Sequence, residues 1–312
     1  MAELKHYSVM LSECLEGLKI KDGGIYFDGT LGGGGHSYEI LKASSPSGKL
    51  VATDLDDYAI SRASEKLKEF DGRFTIVKDN FKNFPAIKES LYVEGFDGIL
   101  LDLGVSSFQL DDRERGFSYL ADEMTLDMRM DKDNPLTAER IVNEYSENEL
   151  KQIFFEYGEE KFSAKIAKEI VTRRKTERIS TVGQLNEIIR TCIPAKFQHD
   201  GHPSKRVFQA IRIEVNGELD GLYDTVISMA RGLKKGGRLA IITFHSLEDR
   251  IVKRAFKELE TDCICDKSLP VCVCGKKKEI EIITRHPIIA TEEELEKNKR
   301  SKSAKLRIAE KI

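Results

Sequence analysis

The sequence predicts an α/β protein, a doubly wound and mostly parallel sheet interrupted by an all-helical insert. Three observations carry this expectation. Short apolar runs alternate with helix-period segments from Gly24 to Gly104. A long stretch without strand pattern follows, from Gln109 to Arg206. Strand and helix patterns then resume to the C-terminus, which makes the helical stretch too long for an ordinary crossover in a parallel sheet.

The elements follow in order. "GIYFDGT" reads as the first strand and "HSYEILKAS" as its helix. "GKLVATDLD" is the second strand, leading into the helix "DDYAISRASEKLKEF", and "RFTIVKDN" is the third, leading into "KNFPAIKESLYV". "FDGILLDLG" is the fourth; its run "GILLDL" is apolar on both faces, as a central strand covered by helices must be. In the insert, "TAERIVNEY", "SENELKQIFFEYG", "EEKFSAKIAKEIVTRRK" and "TVGQLNEIIRTCI" have helical spacing, with Ser146 and Thr181 placed as N-caps. Phe208, Ile211, Val215, Leu219, Leu222, Val226, Met229 and Leu233 then recur every three or four residues, which predicts one long amphipathic helix. "RLAIITF" is a fifth strand, "SLEDRIVKRAFKELE" a helix, and "EIEIITR" and "AKLRIAEKI" two late strands. The expected domains are residues 1–108 with 207–312, and an insert of residues 109–206.

Composition narrows the function. The chain has 312 residues, 40% hydrophobic and 33% charged, enough to bury a sizeable core. Its net charge of −3 provides no global basic field, so any phosphate contact must come from a local patch. The charged N-terminus lacks the apolar stretch of a signal peptide, no window is apolar enough to cross a membrane, and six cysteines in this length are not a disulfide framework. The expected compartment is the cytoplasm.

The most informative stretch is "FDGTLGGGGHS", residues 27–37, at the turn between first strand and first helix. Open α/β sheets bind nucleotides there, because missing Cβ atoms let the backbone approach a ligand and the helix start offers free N–H groups. The phosphate-binding pattern GxxxxGK[ST] is absent, since "SGKL" lacks both its upstream glycine and its hydroxyl residue. The dinucleotide pattern GxGxxG fails at Ser37. S-adenosylmethionine suits what is left. Its sulfonium and ammonium favour acids at strand ends, here Asp28 and Asp102; its ribose hydroxyls want a carboxylate after the second strand, where Asp54 stands; its carboxylate can take the amides of Gly34, Gly35 and His36. Phe81, after the third strand, is placed to flank an adenine.

"FDGTLGGGGHS", "GILLDLGVSSFQLDDRERGFSY", "LDMRMD", "FQAIRIEVNGEL", "GGRLAIITFHSLEDRIVK" and "AKLRIAEK" together resemble the bacterial 16S ribosomal RNA cytosine-N4 methyltransferase family, nearly end to end. The resemblance implies a Rossmann-like methyltransferase domain interrupted by a helical substrate-recognition domain. It also implies methyl transfer from S-adenosylmethionine to the N4 of a cytidine in the decoding region of 16S ribosomal RNA, within the small ribosomal subunit. The family's cofactor positions fall on Gly34, Gly35, His36, Asp54, Phe81, Asp102 and Gln109.

The fourth strand ends in "DLGVSS" rather than the (D/N/S)PP(Y/F) motif of many amino-methyltransferases. Asp102 is therefore a candidate either for the hydrogen-bond acceptor of the reacting amine or for a cofactor contact alone, and the stacking ring must come from elsewhere, with Phe108 and Phe117 as candidates. His245, in "TFHSLEDR", is a candidate for the substrate pocket, while Ser246 and Asp249 fit a helix-capping box. Arg113, Arg115, Arg129, Lys205 and Arg206 are candidates for phosphate contact; each run equally suits a solvated face. Cys263, Cys265, Cys272 and Cys274, in "CICDKSLPVCVCG", form two C-x-C pairs that suit one structural zinc, or remain reduced thiols in a hairpin. Two rival functions share these features in part: a small-molecule methyltransferase, and a non-catalytic RNA-binding factor built on the same fold.

Overall fold

The computed structural model describes residues 8–105, 115–198, 201–266 and 271–312. They form two compact units, one of residues Met1–Gly104 with Leu219–Ile312, the other of Val105–Glu218.

The first unit is built on one sheet. Its strands are β1 (Ile25–Asp28), β2 (Lys49–Asp54), β3 (Phe74–Lys78), β4 (Phe96–Asp102), β5 (Leu233–Thr243), β6 (Ile280–Ile282), β7 (Ile288–Ile289) and β8 (Lys305–Lys311). Their order is β3-β2-β1-β4-β5-β8-β6, with β7 also on β8. β1 to β5 pair in parallel, and β8 runs antiparallel to β5, β6 and β7. This is the expected Rossmann-like class. The helices are α1 (Leu11–Leu18), α2 (Gly35–Ala43), α3 (Asp57–Leu67) and α4 (Phe84–Ser90).

Successive strand residues alternate between two cores, which is why these strands read as unbroken apolar runs. Phe27, Ile99, Leu101, Leu239 and Ile241 face one side, packing with Phe84, Phe96 and Phe256. Tyr26, Leu50, Leu100, Ala240 and Ile242 face the other, with Leu18, Ile40 and Leu41. The strand order reverses between β1 and β4, and the carboxyl ends at such a reversal are the usual ligand position in these sheets.

The second unit holds α5 (Ala138–Glu144), α6 (Glu147–Glu156), α7 (Ser163–Arg173), α8 (Val182–Cys192) and α9 (Lys205–Asn216). Among its described residues the sole β feature is an isolated bridge, Thr125 to Thr181. Ser146 and Thr181 cap their helices with full capping boxes, accepting from the backbone N–H of Glu149 and Gln184.

One expectation needs correction. The predicted single long helix is two, α9 and α10 (Leu222–Arg231). Gly217 ends α9 at φ 54° and Gly221 precedes α10 at φ 65°, left-handed positions that L side chains adopt at a cost. The apolar stripe is shared out accordingly: Phe208, Ile211 and Val215 belong to the helical core, while Leu222, Val226, Met229 and Leu233 belong to the sheet core. The chain therefore leaves the helical unit after Glu218 rather than after Arg206, because α9 belongs to that unit. A further helix of the sheet unit, α11 (Ser246–Glu260), follows β5, and the short α12 (Glu292–Lys297) precedes β8.

Candidate active site

The candidate site lies at the tips of β1, β2, β3 and β4. Asp28, at the end of β1, is buried and turned inward. Its Oδ1 accepts the backbone N–H of Thr30 at 3.1 Å and its Oδ2 accepts the Ser37 hydroxyl at 2.7 Å. Burial raises its pKa, and these bonds to the charged form oppose the rise. Asp28 thus ties the glycine turn to α2 instead of facing a cation. Thr30 Oγ1 accepts the backbone N–H of Asp102 at 2.6 Å, clamping the β1 tip to the β4 tip. The roles of Thr30 and Ser37 were missed in sequence; "DGT" at a strand end, where an Asp side chain takes an N–H two residues on, was the available signal.

Gly32 and Gly34 have φ of 49° and 72°. A Cβ on Gly34 would sit 3.0 Å from Ala63 Cβ and 3.2 Å from Ala63 Cα, so α3 packs directly on the bare turn. The Gly34 N–H donates to the Leu31 carbonyl at 2.8 Å, which closes the turn and makes this amide internal. The expected trio of amides is corrected at that position. The first-turn N–H groups of α2, from Gly35, His36 and Ser37, have no intrahelical acceptor and are the donors this turn can offer.

Asp54 ends β2. Its Oδ2 accepts the Gly32 N–H at 2.8 Å and its Oδ1 accepts the Asp56 N–H at 2.9 Å; burial raises its pKa. Phe81 follows β3 in a 3₁₀ turn capped by Asn80, and its Cβ lies 3.0 Å from where a Gly29 Cβ would be. Gly29 is thereby a further residue of the site that sequence reading missed, since a Cβ there would meet the Phe81 Cβ and, more tightly, the Leu101 side chain.

Asp102 and His36 form the most unusual pair. The imidazole Nε2 is 3.0 Å from the Val9 carbonyl, and because a carbonyl only accepts, Nε2 carries the proton. Nδ1 is then a bare acceptor, 3.9 Å from Asp102 Oδ2. Burial lowers the His36 pKa to about 4, so the ring is neutral. Asp102 is pushed up to about 8 by burial first, then by the charges of Asp28 and Glu248. Its Oδ1 is buried with no hydrogen-bond partner, and no lysine or arginine among the described residues pairs with it. The Asp102 side chain is half-buried, but a carboxylate oxygen buried without a partner is costly, and a cation seated against it would relieve that cost. This orphaned oxygen, beside open amides for a carboxylate and a second acid for hydroxyls, fits the S-adenosylmethionine that the resemblance implies.

His245 stands at the N-cap of α11 with its side chain 6% exposed, and Nδ1 accepts the Glu248 N–H at 3.4 Å. Its Nε2 lies 3.2 Å from Glu248 Oε1 but outside hydrogen-bonding geometry, and is left unsatisfied. The expected cap of Ser246 with Asp249 is therefore displaced by one residue. Asp249 binds Arg307 instead, at 2.6 Å, with Lys305 at 3.6 Å.

The expected RNA contacts separate into two groups. Arg115 is buried, donating to the Arg129 and Met130 carbonyls at 2.7 and 2.8 Å. Arg129 is held by both oxygens of Asp127, each at 2.9 Å, and by the Lys132 and Asn134 carbonyls. Both arginines staple a loop of the helical unit, and their assignment to RNA is corrected on that ground. Phe117 is buried in the same core and is not a free stacking ring. Lys205 and Arg206 are exposed at the start of α9, Arg206 reaching the Glu159 carbonyl at 3.4 Å. Phe108, Gln109 and Arg113 lie outside the described residues. The sulfurs of Cys263, Cys265, Cys272 and Cys274 converge, all within 4.8 Å of one another, while Cys14 and Cys192 are separately buried.

The chain matches the model of the MraW methylase family over residues 3–312. It is 56% identical over 310 residues to ribosomal RNA small subunit methyltransferase H 2 of Agathobacter rectalis, covering 99% of each chain. It is 55% identical to ribosomal RNA small subunit methyltransferase H of Clostridium botulinum, covering 99% of this chain and 100% of that one. The protein of the same name from Lachnospira eligens is 53% identical over 311 residues, covering 99% and 98%. Coverage so complete in both directions takes in the helical unit as well as the sheet, and the chain belongs to the MraW methylase family.

Proposed function

We propose that the chain methylates the exocyclic N4 of a cytidine in the decoding region of 16S ribosomal RNA, using S-adenosylmethionine, in the cytoplasm and on the small ribosomal subunit. The names of its relatives support a small-subunit RNA substrate. The observation that carries the cofactor is the half-buried Asp102 carboxylate at the strand-order reversal, whose Oδ1 is buried and unsatisfied among the described residues. When bound, the cofactor supplies an electrophilic methyl group on a sulfonium.

The residues then divide the work. Gly35 and His36 offer amides to the cofactor's carboxylate, with Ser37 beside them. Asp54 takes ribose hydroxyls with the lone pairs left by Gly32 and Asp56. Phe81 flanks the adenine, and Gln109 is carried from the resemblance alone. A cytosine amine is a weak nucleophile because its lone pair is delocalised into the ring, so the protein's main task is in-line positioning. Asp102 accepts a hydrogen bond from the amine or from the cofactor's ammonium, in surroundings dry enough to strengthen either one. A carboxyl that titrates near neutrality is also suited to receive the amine's departing proton. His36, locked by Val9, holds the loop against Asp102 and does no acid–base work. His245 is held at the α11 cap, and its unsatisfied Nε2 is its one route to substrate. Lys205 and Arg206 position phosphates without reading sequence, and the target base must leave its stack to reach the methyl group.

The test is methyl transfer from labelled cofactor to small ribosomal subunits lacking the modification, and separately to free 16S RNA, with the product mapped to the atom. Label on one cytidine N4 supports the proposal. Label at another atom, on a small metabolite or nowhere rejects it.

A further inference from the structure

The described residues of the segment between α11 and β6 build no hydrophobic core of their own. Ile264, Val271 and Val273 are all largely exposed there. Its base is closed by the Glu279 N–H on the Leu259 carbonyl at 2.8 Å. What gathers the described part of this loop is sulfur. Cys263 and Cys272 have Sγ atoms 3.5 Å apart, Cys272 and Cys274 3.5 Å, Cys265 and Cys272 3.9 Å, and Cys274 and Cys263 3.9 Å.

We propose that Cys263, Cys265, Cys272 and Cys274 bind one zinc ion as a closed tetrahedral thiolate site that folds this loop. Four sulfurs about 2.3 Å from a tetrahedral zinc stand about 3.8 Å from one another, the spacing observed here. Disulfide pairing would match each sulfur to one partner, whereas Cys272 faces all three others at once. The backbone is already arranged for thiolates. Cys263 Sγ accepts the Cys265 N–H at 3.4 Å, Cys265 Sγ the Val273 N–H at 3.3 Å, and Cys274 Sγ the Ile264 N–H at 3.5 Å. Gly275, at φ 62°, turns the chain so that the Lys276 N–H also reaches Cys274. Such outer hydrogen bonds orient metal ligands and stabilise their charge.

Four thiols lose four protons on binding, leaving a centre of net charge −2 beside the consecutive lysines 276, 277 and 278. All four positions are filled by protein, so no site is open for substrate or water and the metal is structural. α11 starts at the β5 tip beside the candidate site and has 15 residues, which carries the loop about 22 Å along its axis from that start.

The full-length chain, purified under reducing conditions without added metal, is assayed for bound metals by mass spectrometry. About one zinc per chain is expected, falling to near zero in the Cys272→Ser/Cys274→Ser variant. Because that variant could misfold locally, stripped wild-type chain is also titrated with cobalt(II). Saturation at one equivalent, with the strong visible bands of a tetrahedral thiolate site and displacement by zinc, supports the proposal. No retained zinc with four reactive thiols in the loop, iron in its place, or zinc equally retained by the variant overturns it.

Discussion

Asp102 Oδ2 faces the unprotonated Nδ1 of His36 across 3.9 Å, and Asp102 Oδ1 is buried without a hydrogen-bond partner among the described residues. Two acceptors face each other, so the pair is at ease only when a proton sits on Asp102 or a cation lies beside it. The geometry therefore makes Asp102 a group whose charge depends on ligand.

The first prediction concerns stability. Asp102 titrates near 8 in the folded chain against an ordinary value of 3.8, so between those values the unfolded chain binds fewer protons. Stability then falls as pH rises through this window and levels off above it. Asp102→Asn removes that loss. The ligand-free variant should melt higher than wild type at about pH 8, by about 2–4 °C for each kcal/mol recovered, while losing most cofactor affinity. Thermal melts at several pH values check the sign; a variant less stable than wild type at alkaline pH would show that Asp102 is already satisfied.

Gly34→Ala tests the bare turn. The substitution meets Ala63 at 3.0 Å and forces an L side chain to φ 72°, which together should cost about 1–3 kcal/mol. Gly34→Ala/Ala63→Gly should relieve only the Cβ contact, since the Ala63 Cα at 3.2 Å remains and a glycine inside α3 costs about 1 kcal/mol. Denaturant unfolding measures both variants, and a neutral Gly34→Ala would mean that the turn is loose.

Asp54→Ala should weaken cofactor binding by about 1.5–3 kcal/mol, the size of a charge-assisted hydrogen bond. Part of the loss arises because the Gly32 and Asp56 N–H groups lose their acceptor. Calorimetry giving wild-type affinity would remove Asp54 from the site.

Lys205→Glu/Arg206→Glu should raise the KM for RNA and reduce the salt dependence of RNA binding, by about one in slope per lost phosphate contact. Arg129→Ala should do neither. It should lower stability, since Asp127 and two carbonyls lose their donor. A shared effect on the salt slope would contradict the division between exposed and internal arginines.

Much of this was legible in the sequence, for identifiable reasons. Apolar runs that end in Asp28, Asp54 and Asp102 announce strand tips because a buried strand must stop where charge begins. Which acid faces a ligand was not legible: Asp28 is claimed by Ser37 and Thr30, a matter of side-chain directions across two elements. The break at Gly217 and Gly221 was hidden because the apolar phase continues through it although its two halves enter different cores. Arg115 and Arg129 sit among acids and read as solvated, yet the loop folds over them to satisfy its own carbonyls. His245 as a cap was unexpected because imidazole rarely fills a position that favours Ser, Thr, Asp or Asn.

The most direct test of the central claim is proton release on cofactor binding, measured by calorimetry in buffers of different ionisation enthalpy. If the cation is seated against Asp102, binding at about pH 6.5 drives that carboxyl from protonated to ionised, releasing close to one proton per chain, and the release fades above pH 8 and is absent in Asp102→Asn. Binding at pH 6.5 with no proton released, or with a proton taken up, would contradict it.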